Sequence, residues 1–442
     1  MATTAARRAL GAGLAAAAYL VLGSCTPTSP PGAPPSPEPG PVAEPPTEPI
    51  PGVEPSPDVE LEPAIRVGLA VGVPGASVGG GAPLVVSDAT GARLAVVPPG
   101  ERWQVGVRGV GIVVISPSGA SSSPSDAVVI AGAGAGDAVR VNGRLYRGTV
   151  DVLRAGTGIT LVNRLGMELY LQGVVSAEMG RRSLAEREAL RAQAVVSRTY
   201  AHRNLRRWAA QGFDVYASVA DQVYGGLSAE TPEGIEAVQS TRGRVLTSGG
   251  APIDAFFYST CGGRTADGTE VFRAASRSYL HSVSDVDESG VAYCAISPRY
   301  RWREEWSGAA LVATLRRTLP EVAGTPASRV TAVRDVRVAY RTASGRVGEL
   351  AVGLPDGEVR IDGPRVRGAL RGPSGELLRS SAFELTVTGA GRGVTRLVAD
   401  GGGAGHGVGF CQWGAVGRSR AGHDFQRILA AYYPGVTIQR FY

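Results

Sequence analysis

The chain has 442 residues, 43% hydrophobic and 19% charged, enough for one large or two ordinary domains with a substantial core. All 45 basic residues are arginine, which excludes catalysis through a lysine Schiff base, a Ser-Lys pair or a P-loop lysine. Residues 1–64 contain two arginines and seven acidic residues, which gives this segment a net charge of −5. Since the whole chain has a net charge of +6, the remaining residues carry +11. Because the arginines are scattered, this charge favours a polyanionic partner other than nucleic acid; an ordinary soluble surface is the alternative.

Residues 1–24 have the pattern of a signal peptide. Two arginines precede the apolar run Ala9–Leu22, which is too short to span a bilayer comfortably. The run leads into Leu22–Cys25, which resembles a bacterial lipobox and predicts a lipid on Cys25. An ordinary signal peptide with a chance cysteine is the alternative. We therefore predict an exported, membrane-anchored lipoprotein that faces the cell wall or periplasm.

A disordered, proline-rich linker is predicted over residues 25–64. Half of the 30 prolines lie in the stretch Pro27–Pro63, and such a composition cannot bury a core. Its paired prolines favour extended polyproline II structure. A linker of this kind lets the folded body reach away from a membrane.

From residue 65 the chain has the pattern of a β-rich body, and residues 65–142 are assigned to an N-terminal β-rich region. Asn142-Gly143 between two apolar runs is a strong hairpin signal. Clusters of Gly, Pro and Ser separate the β-branched runs. Strands are predicted at Ile65–Val71, Trp103–Ile115, Ala127–Ile130, Val139–Val141, Arg144–Val152, Ile159–Val162 and Met167–Val175.

One long central helix follows. Ser183 and Glu186 have capping-box spacing, and Leu184–Ala210 contains neither Gly nor Pro. Further on, the segment Gly389–Gly409 is predicted to be mostly loop. The remaining predicted elements are strands at Val330–Arg341, Arg346–Leu354 and Phe383–Val387 and helices at Ala309–Leu319 and Phe425–Tyr433. The predicted fold class is α+β.

A candidate catalytic acid lies at the end of the apolar run Leu171–Met179. Glu178 has Val175, Ala177 and Met179 around it, so partial burial would raise its pKa and suit it to proton donation near neutral pH. The alternative is a glutamate that caps backbone amides beside the helix.

Two further segments offer ligand-binding side chains. Arg198 shares a helix face with Arg191 and His202, a basic stripe that either binds an anion or is simply solvated. The Gly-rich segment 405–414 carries His406, Gln412 and Trp413, which resembles a ligand loop. For His406 the alternative is a structural, hydrogen-bonded histidine.

Together these segments resemble the stage II sporulation protein D family, which also contains the amidase-enhancer proteins. Gly173–Met179 is similar to the family's catalytic-glutamate signature and Ala192–Ala201 to its helix. The resemblance covers residues 143–442, which we predict to be the catalytic domain. The other matching segments are Phe257–Thr265, Tyr279-Leu280, Leu378–Phe383 and Gly405–Gly414.

The resemblance implies a peptidoglycan lytic transglycosylase that cleaves denuded glycan strands. One carboxylate is enough for this reaction, because the muramic acid C6 hydroxyl is an internal nucleophile. Glu178 would be the single acid/base and would leave anhydro-muramic ends. Arg198, His406, Gln412 and Trp413 are predicted to line the substrate groove, without a cofactor. The alternatives are a non-catalytic wall-binding enhancer of a cell-wall amidase and a structural lipoprotein that grips glycan.

The cysteines leave two interpretations open. If Cys25 is lipidated, three cysteines remain, and we predict a disulfide between Cys261 and Cys294 with Cys411 as a free thiol. Family members that bind zinc near this segment use a histidine that the chain lacks, so no metal is predicted. The rival interpretation is a metal site formed by these three cysteines and His406.

Overall fold

The computed structural model describes residues 61–272, 276–372 and 374–442. The predicted signal peptide (1–24), the predicted lipidation site Cys25 and the predicted linker up to residue 60 lie outside the described residues. Strands make up 36% and helices 27% of the structure, which confirms the α+β class and the β-rich body. No helix in the described ranges is long and apolar enough to cross a membrane.

Two sheets built from the first eleven strands, with β12 at one edge, share one apolar core. The seven-stranded sheet has the order β12-β1-β11-β10-β7-β3-β4 and the five-stranded sheet the order β6-β5-β2-β8-β9. These strands are β1 Ala64–Val73, β2 Gly75–Gly79, β3 Leu84–Asp88, β4 Arg93–Val97, β5 Arg102–Arg108, β6 Gly111–Ile115, β7 Ala127–Gly132, β8 Val139–Val141, β9 Arg144–Tyr146, β10 Thr149–Ala155, β11 Gly158–Gly166 and β12 Val215–Tyr216.

The predicted hairpin at Asn142-Gly143 is confirmed. It joins β8 to β9, and both turn residues have positive φ, 47° and 89°, as a type I′ turn requires. The division placed at residue 142 therefore falls inside a hairpin, and β10 and β11 pair with strands from both sides of it. The β-rich region and the start of the predicted catalytic domain form one continuous structure.

Helix α1 (Met167–Met179) corrects the strand predicted at Met167–Val175. Ten of its 13 residues are buried, so it lacks a polar face exposed to solvent. Without such a face, an amphipathic helix cannot be distinguished from a buried strand. The predicted capping box of Ser183 and Glu186 is present, but it begins a 3₁₀ turn. Helix α2 (Arg187–Arg203) follows directly and ends well before residue 210.

A second, smaller core lies within residues 301–402. The sheets β16-β21-β20 and β17-β18-β19 surround it together with two helices, α5 and α6. Helix α5 is nearly as long as α2 and continues through Pro320 instead of ending before it. Strand β21 takes up seven residues of the segment Gly389–Gly409 and pairs on both sides, and the rest of the segment is mostly loop as predicted.

The elements after α2 complete the fold. They are α3 Pro232–Ser240, β13 Arg244–Ser248, β14 Ala251–Pro252, β15 Phe257–Tyr258, α4 Gly268–Phe272, β16 Arg301–Ser307, α5 Gly308–Ala323, β17 Asp335–Arg341, β18 Val347–Leu354, β19 Gly357–Asp362, α6 Gly363–Ala369, β20 Phe383–Thr388, β21 Arg396–Gly402, β22 Phe410–Cys411, α7 Gln412–Arg420, α8 Phe425–Tyr432 and β23 Thr437–Arg440. The short strand β22 pairs in parallel with β15, which places the start of α7 against α2.

Candidate functional site

Glu178 lies in the last turn of α1, where the helix end opens toward the start of α7. Its carboxylate is half-buried and accepts hydrogen bonds from the Val223 backbone N–H (2.8 Å) and the Gln412 side chain (3.2 Å). Burial raises its pKa above the ordinary value, although the two hydrogen bonds oppose this. In the described ranges no cation forms an ion pair with it. A carboxyl group in this setting keeps its proton to a higher pH than an ordinary glutamate does, which suits a general acid.

Gln412 positions this carboxylate. It is the first residue of α7, and its Nε2 donates to Glu178 Oε2 and, at 3.4 Å, to Gln193 Oε1. Gln193 is fully buried on α2 and is itself fixed by a 2.9 Å hydrogen bond to Ser197. Sequence analysis singled out Gln412 but missed Gln193 and the Val223 amide, because neither carries a chemical signature of its own.

Trp413 and Arg182 form a flat, positively charged surface beside Gln412. The Arg182 guanidinium carbon lies 4.5 Å above the centre of the Trp413 ring, and both side chains are half-buried. Burial lowers the pKa of Arg182, and its Nε has no hydrogen-bond partner in the described part of the chain. Sequence analysis missed Arg182, although it follows Glu178 by only four residues.

His406 is a structural residue in this conformation. Val408 N–H donates to its Nδ1 (3.1 Å), so the ring proton is on Nε2 and is donated to the Phe257 carbonyl (2.8 Å). Burial lowers its pKa to about 4, which keeps the ring neutral. The structure brings Gln412, and not His406, to Glu178.

Arg198 does not line a groove, which corrects its predicted role. It is fully buried, and its Nε and Nη2 each lie 2.7 Å from an oxygen of Glu168. Burial favours protonation of Glu168, but Arg198 and the hydroxyl of Tyr442 outweigh it, so the pKa of Glu168 is lowered overall. Arg198, which the sequence places in a basic stripe, instead forms an internal ion pair. The sequence pattern of α2 does not show this, because Glu168 lies on α1, 30 residues away.

We expect Arg198→Met to destabilise the fold by roughly 3–5 kcal/mol, because it leaves Glu168 buried without its counter-charge. The ion pair acts above the ordinary carboxylate pKa, so its contribution should be lost as the pH falls through the lowered pKa of Glu168. Urea unfolding measures both effects. Arg191→Met, on the same helix but with surface partners, is the control and should cost less than about 1 kcal/mol. Unchanged stability with weaker glycan binding would contradict this structural role.

The three cysteines meet in one buried cluster, and the predicted disulfide is absent. Cys261 and Cys294 have their sulfurs 3.3 Å apart, well beyond a covalent bond, and Cys411 lies with them. The fourth member is Asp285, which replaces the His406 of the rival metal-site interpretation. All four ligand atoms lie within 4.8 Å of one another.

The cluster Cys261–Asp285–Cys294–Cys411 favours an anionic sulfur at Cys294, whereas burial raises the pKa of the Cys261 and Cys411 thiols. Cys411 Sγ accepts backbone N–H groups from Cys261 (3.1 Å) and Gly414 (3.2 Å). Hydrogen bonds from the neighbouring thiols lower the pKa of Cys294 to about 3. Arg418 (3.0 Å) and Tyr432 (3.0 Å) donate hydrogen bonds to the Asp285 carboxylate. Metal ligands are commonly oriented by such hydrogen bonds from neighbouring residues. Three sulfurs and one oxygen are a donor set that fits zinc.

Comparison with known proteins agrees with this geometry. Residues 155–248, which include Glu178, Arg182, Gln193 and Val223, match the family described as Stage II sporulation protein. The chain is 30% identical over 303 residues to an uncharacterized protein of Brachyspira hyodysenteriae, covering 68% of this chain and 74% of that protein. It is 29% identical over 293 residues to the stage II sporulation protein D of Bacillus subtilis, covering 63% and 75%. Residues 155–248 therefore carry a stage II sporulation protein domain, and 63% of the chain is similar to stage II sporulation protein D.

Two further comparisons concern the amidase enhancer and the second core. It is 26% identical to the amidase enhancer of Bacillus subtilis over 295 residues, which is 61% of this chain but only 40% of that relative. Residues 292–409 match a domain of unknown function (DUF8618). That match contains the second core, so the chain combines a stage II sporulation protein domain with a region of unassigned role.

Proposed function

We propose that this protein is a peptidoglycan lytic transglycosylase in which Glu178 is the single acid/base. The observation that carries the proposal is its environment: a half-buried carboxyl with a raised pKa, fixed by Gln412 and the Val223 amide. The protonated acid would donate to the leaving glycosidic oxygen. The resulting carboxylate would then accept the C6 hydroxyl proton of muramic acid as that oxygen attacks the anomeric carbon.

The substrate class follows from the charge beside Glu178. Denuded glycan strands keep a lactyl carboxylate on each muramic acid, and Arg182 offers an unpaired cation next to the flat face of Trp413. Aromatic faces pack against sugar rings, and a guanidinium suits a carboxylate. The protein would act as an exported lipoprotein anchored through Cys25, with residues 26–60 as its tether.

The Cys261–Asp285–Cys294–Cys411 cluster would hold a structural zinc ion. Four protein donors close the coordination shell, so the ion would brace the backbone of β15 and α7 and leave no open position for substrate. The chemistry of glycan cleavage is thereby left to Glu178.

The deciding experiment is mass spectrometry of denuded glycan strands after incubation with the purified protein. Anhydro-muramic ends that grow with time support the enzyme. The relative named an amidase enhancer motivates a second candidate function. Glycan that is bound but uncleaved, together with faster stem-peptide release by an added cell-wall amidase, would replace the transglycosylase with that non-catalytic role.

We expect Trp413→Ala to weaken retention on insoluble denuded glycan by about tenfold, because the sugar loses an aromatic face worth roughly 1–2 kcal/mol. A pull-down at several protein concentrations measures it. Trp103→Ala is the control, since Trp103 is also half-buried but lies on β5 with its ring N–H bonded to Glu101. Equal retention with a lower unfolding temperature would show that Trp413 serves packing.

A further inference from the structure

A cavity of about 60 Å³ lies where the second core meets the Gly-rich loop. A single buried water molecule needs about 10–15 Å³, so a cavity of this volume can hold a group of several atoms. Its polar lining consists of Arg346, Arg367, Glu270, Thr342, Ser381 and His406. None of these residues contacts Glu178.

Arg346 is a buried cation without a counter-charge. It is 3% exposed, and its Nε and Nη1 have no hydrogen-bond partner in the described part of the chain. Its Nη2 has only distant contacts, 3.4 Å each, to the carbonyls of Cys261 and Arg264. A buried guanidinium without acceptors for its hydrogens lowers the stability of the fold unless another group supplies those acceptors.

The guanidinium is held against the loop backbone. A Cβ added to Gly407 would lie 2.5 Å from its central carbon, so this glycine is needed for the close approach.

The remaining charges around the cavity do not neutralise Arg346. Arg367 donates its Nε to the Leu378 carbonyl (2.7 Å), and burial and the charge of Arg346 both lower its pKa. Neither arginine forms an ion pair with any residue that the structure describes. Glu270, the one carboxylate in the lining, accepts from the amide and hydroxyl of Ser344, and His406 is neutral. Two cations thus face one carboxylate.

We propose that this cavity binds a single oxyanion group, a carboxylate or a phosphate, between Arg346 and Arg367. One negative charge restores neutrality, and the orphaned guanidinium hydrogens gain acceptors. The hydroxyls of Thr342 and Ser381 supply neutral donors. The site is separate from the proposed cleavage site, and both of its arginines lie within residues 292–409.

The test is thermal unfolding of the full-length protein with inorganic phosphate or acetate, against chloride at equal ionic strength. We expect a saturable rise in unfolding temperature with at least one oxyanion. Arg367→Gln should weaken half-saturation at least tenfold, whereas Arg365→Gln, an exposed arginine on the same helix, should not. If Arg367→Gln does not fold, Arg367→Lys should bind more weakly than wild type but still measurably.

The two arms separate the sources of the oxyanion. Saturation by phosphate alone assigns the site to a phosphate. Saturation by acetate, with weaker glycan retention in the Arg367 variant but not in Arg365→Gln, assigns it to sugar-borne carboxylates. The proposal is wrong if neither oxyanion exceeds chloride or if the Arg367 variant responds like wild type. None of these outcomes depends on whether glycan is cleaved.

Discussion

Glu178→Gln is expected to lower the rate of glycan cleavage by roughly 10²–10⁴-fold while glycan binding is retained. The amide keeps the shape of the side chain but has no proton to donate to the leaving oxygen. Quantified anhydro-muramic ends measure the loss. Glu236→Gln, an exposed carboxylate on α3 that pairs with Arg191, is the matched control and should cleave at the normal rate.

The same substitution makes a prediction about stability. Burial raises the pKa of Glu178, so the ionised form is disfavoured in the folded protein and costs stability at pH values above the ordinary carboxylate pKa. Glu178→Gln removes that cost and should unfold at the same or a higher temperature than wild type at pH 7.

The raised pKa of Glu178 also predicts how the cleavage rate depends on pH. Because the acid must be protonated to act, the rate should fall as the pH rises, with a midpoint above the ordinary glutamate pKa. Normal cleavage by Glu178→Gln, or a rate that increases through this range, would remove Glu178 from the chemistry.

Cys294→Ser is expected to release one zinc ion per chain and to destabilise the protein by more than about 4 kcal/mol, the range in which loss of a metal site falls. The serine hydroxyl is a poor ligand, and the sulfurs of Cys261 and Cys411 would be left buried with Asp285. Elemental analysis and urea unfolding measure the two effects, and a strong chelator should reproduce both in wild type.

Cys25→Ser is the matched control for this cluster. It removes a cysteine from the chain but none from the cluster, so zinc content and stability should be unchanged. Non-reducing peptide mapping provides the opposing result. Metal-free protein with a disulfide between Cys261 and Cys294 would support the predicted disulfide and contradict the proposed zinc site.

Local features could be predicted from the sequence because they depend on adjacent residues. Asn142-Gly143 permits positive φ at both turn positions, and Ser183 and Glu186 satisfy each other's backbone amides within one turn. Glu178, Gln412 and Trp413 were also singled out from short motifs, and the structure places Gln412 on Glu178.

Only the tertiary structure decided what the buried groups do. The polar residues Glu168, Gln172 and Ser176 of α1 are buried like their apolar neighbours, so the helix has no exposed polar face and was recognised only from the elements that enclose it. Arg198 forms an internal ion pair because Glu168 lies across the helix interface, and Arg346 Nε and Nη1 have no hydrogen-bond partner in the described part of the chain. Cys261, Asp285, Cys294 and Cys411 span 150 residues of sequence, and their spacing carries no metal signature. The energy of a buried charge depends on what surrounds it in space, and that is set by long-range packing.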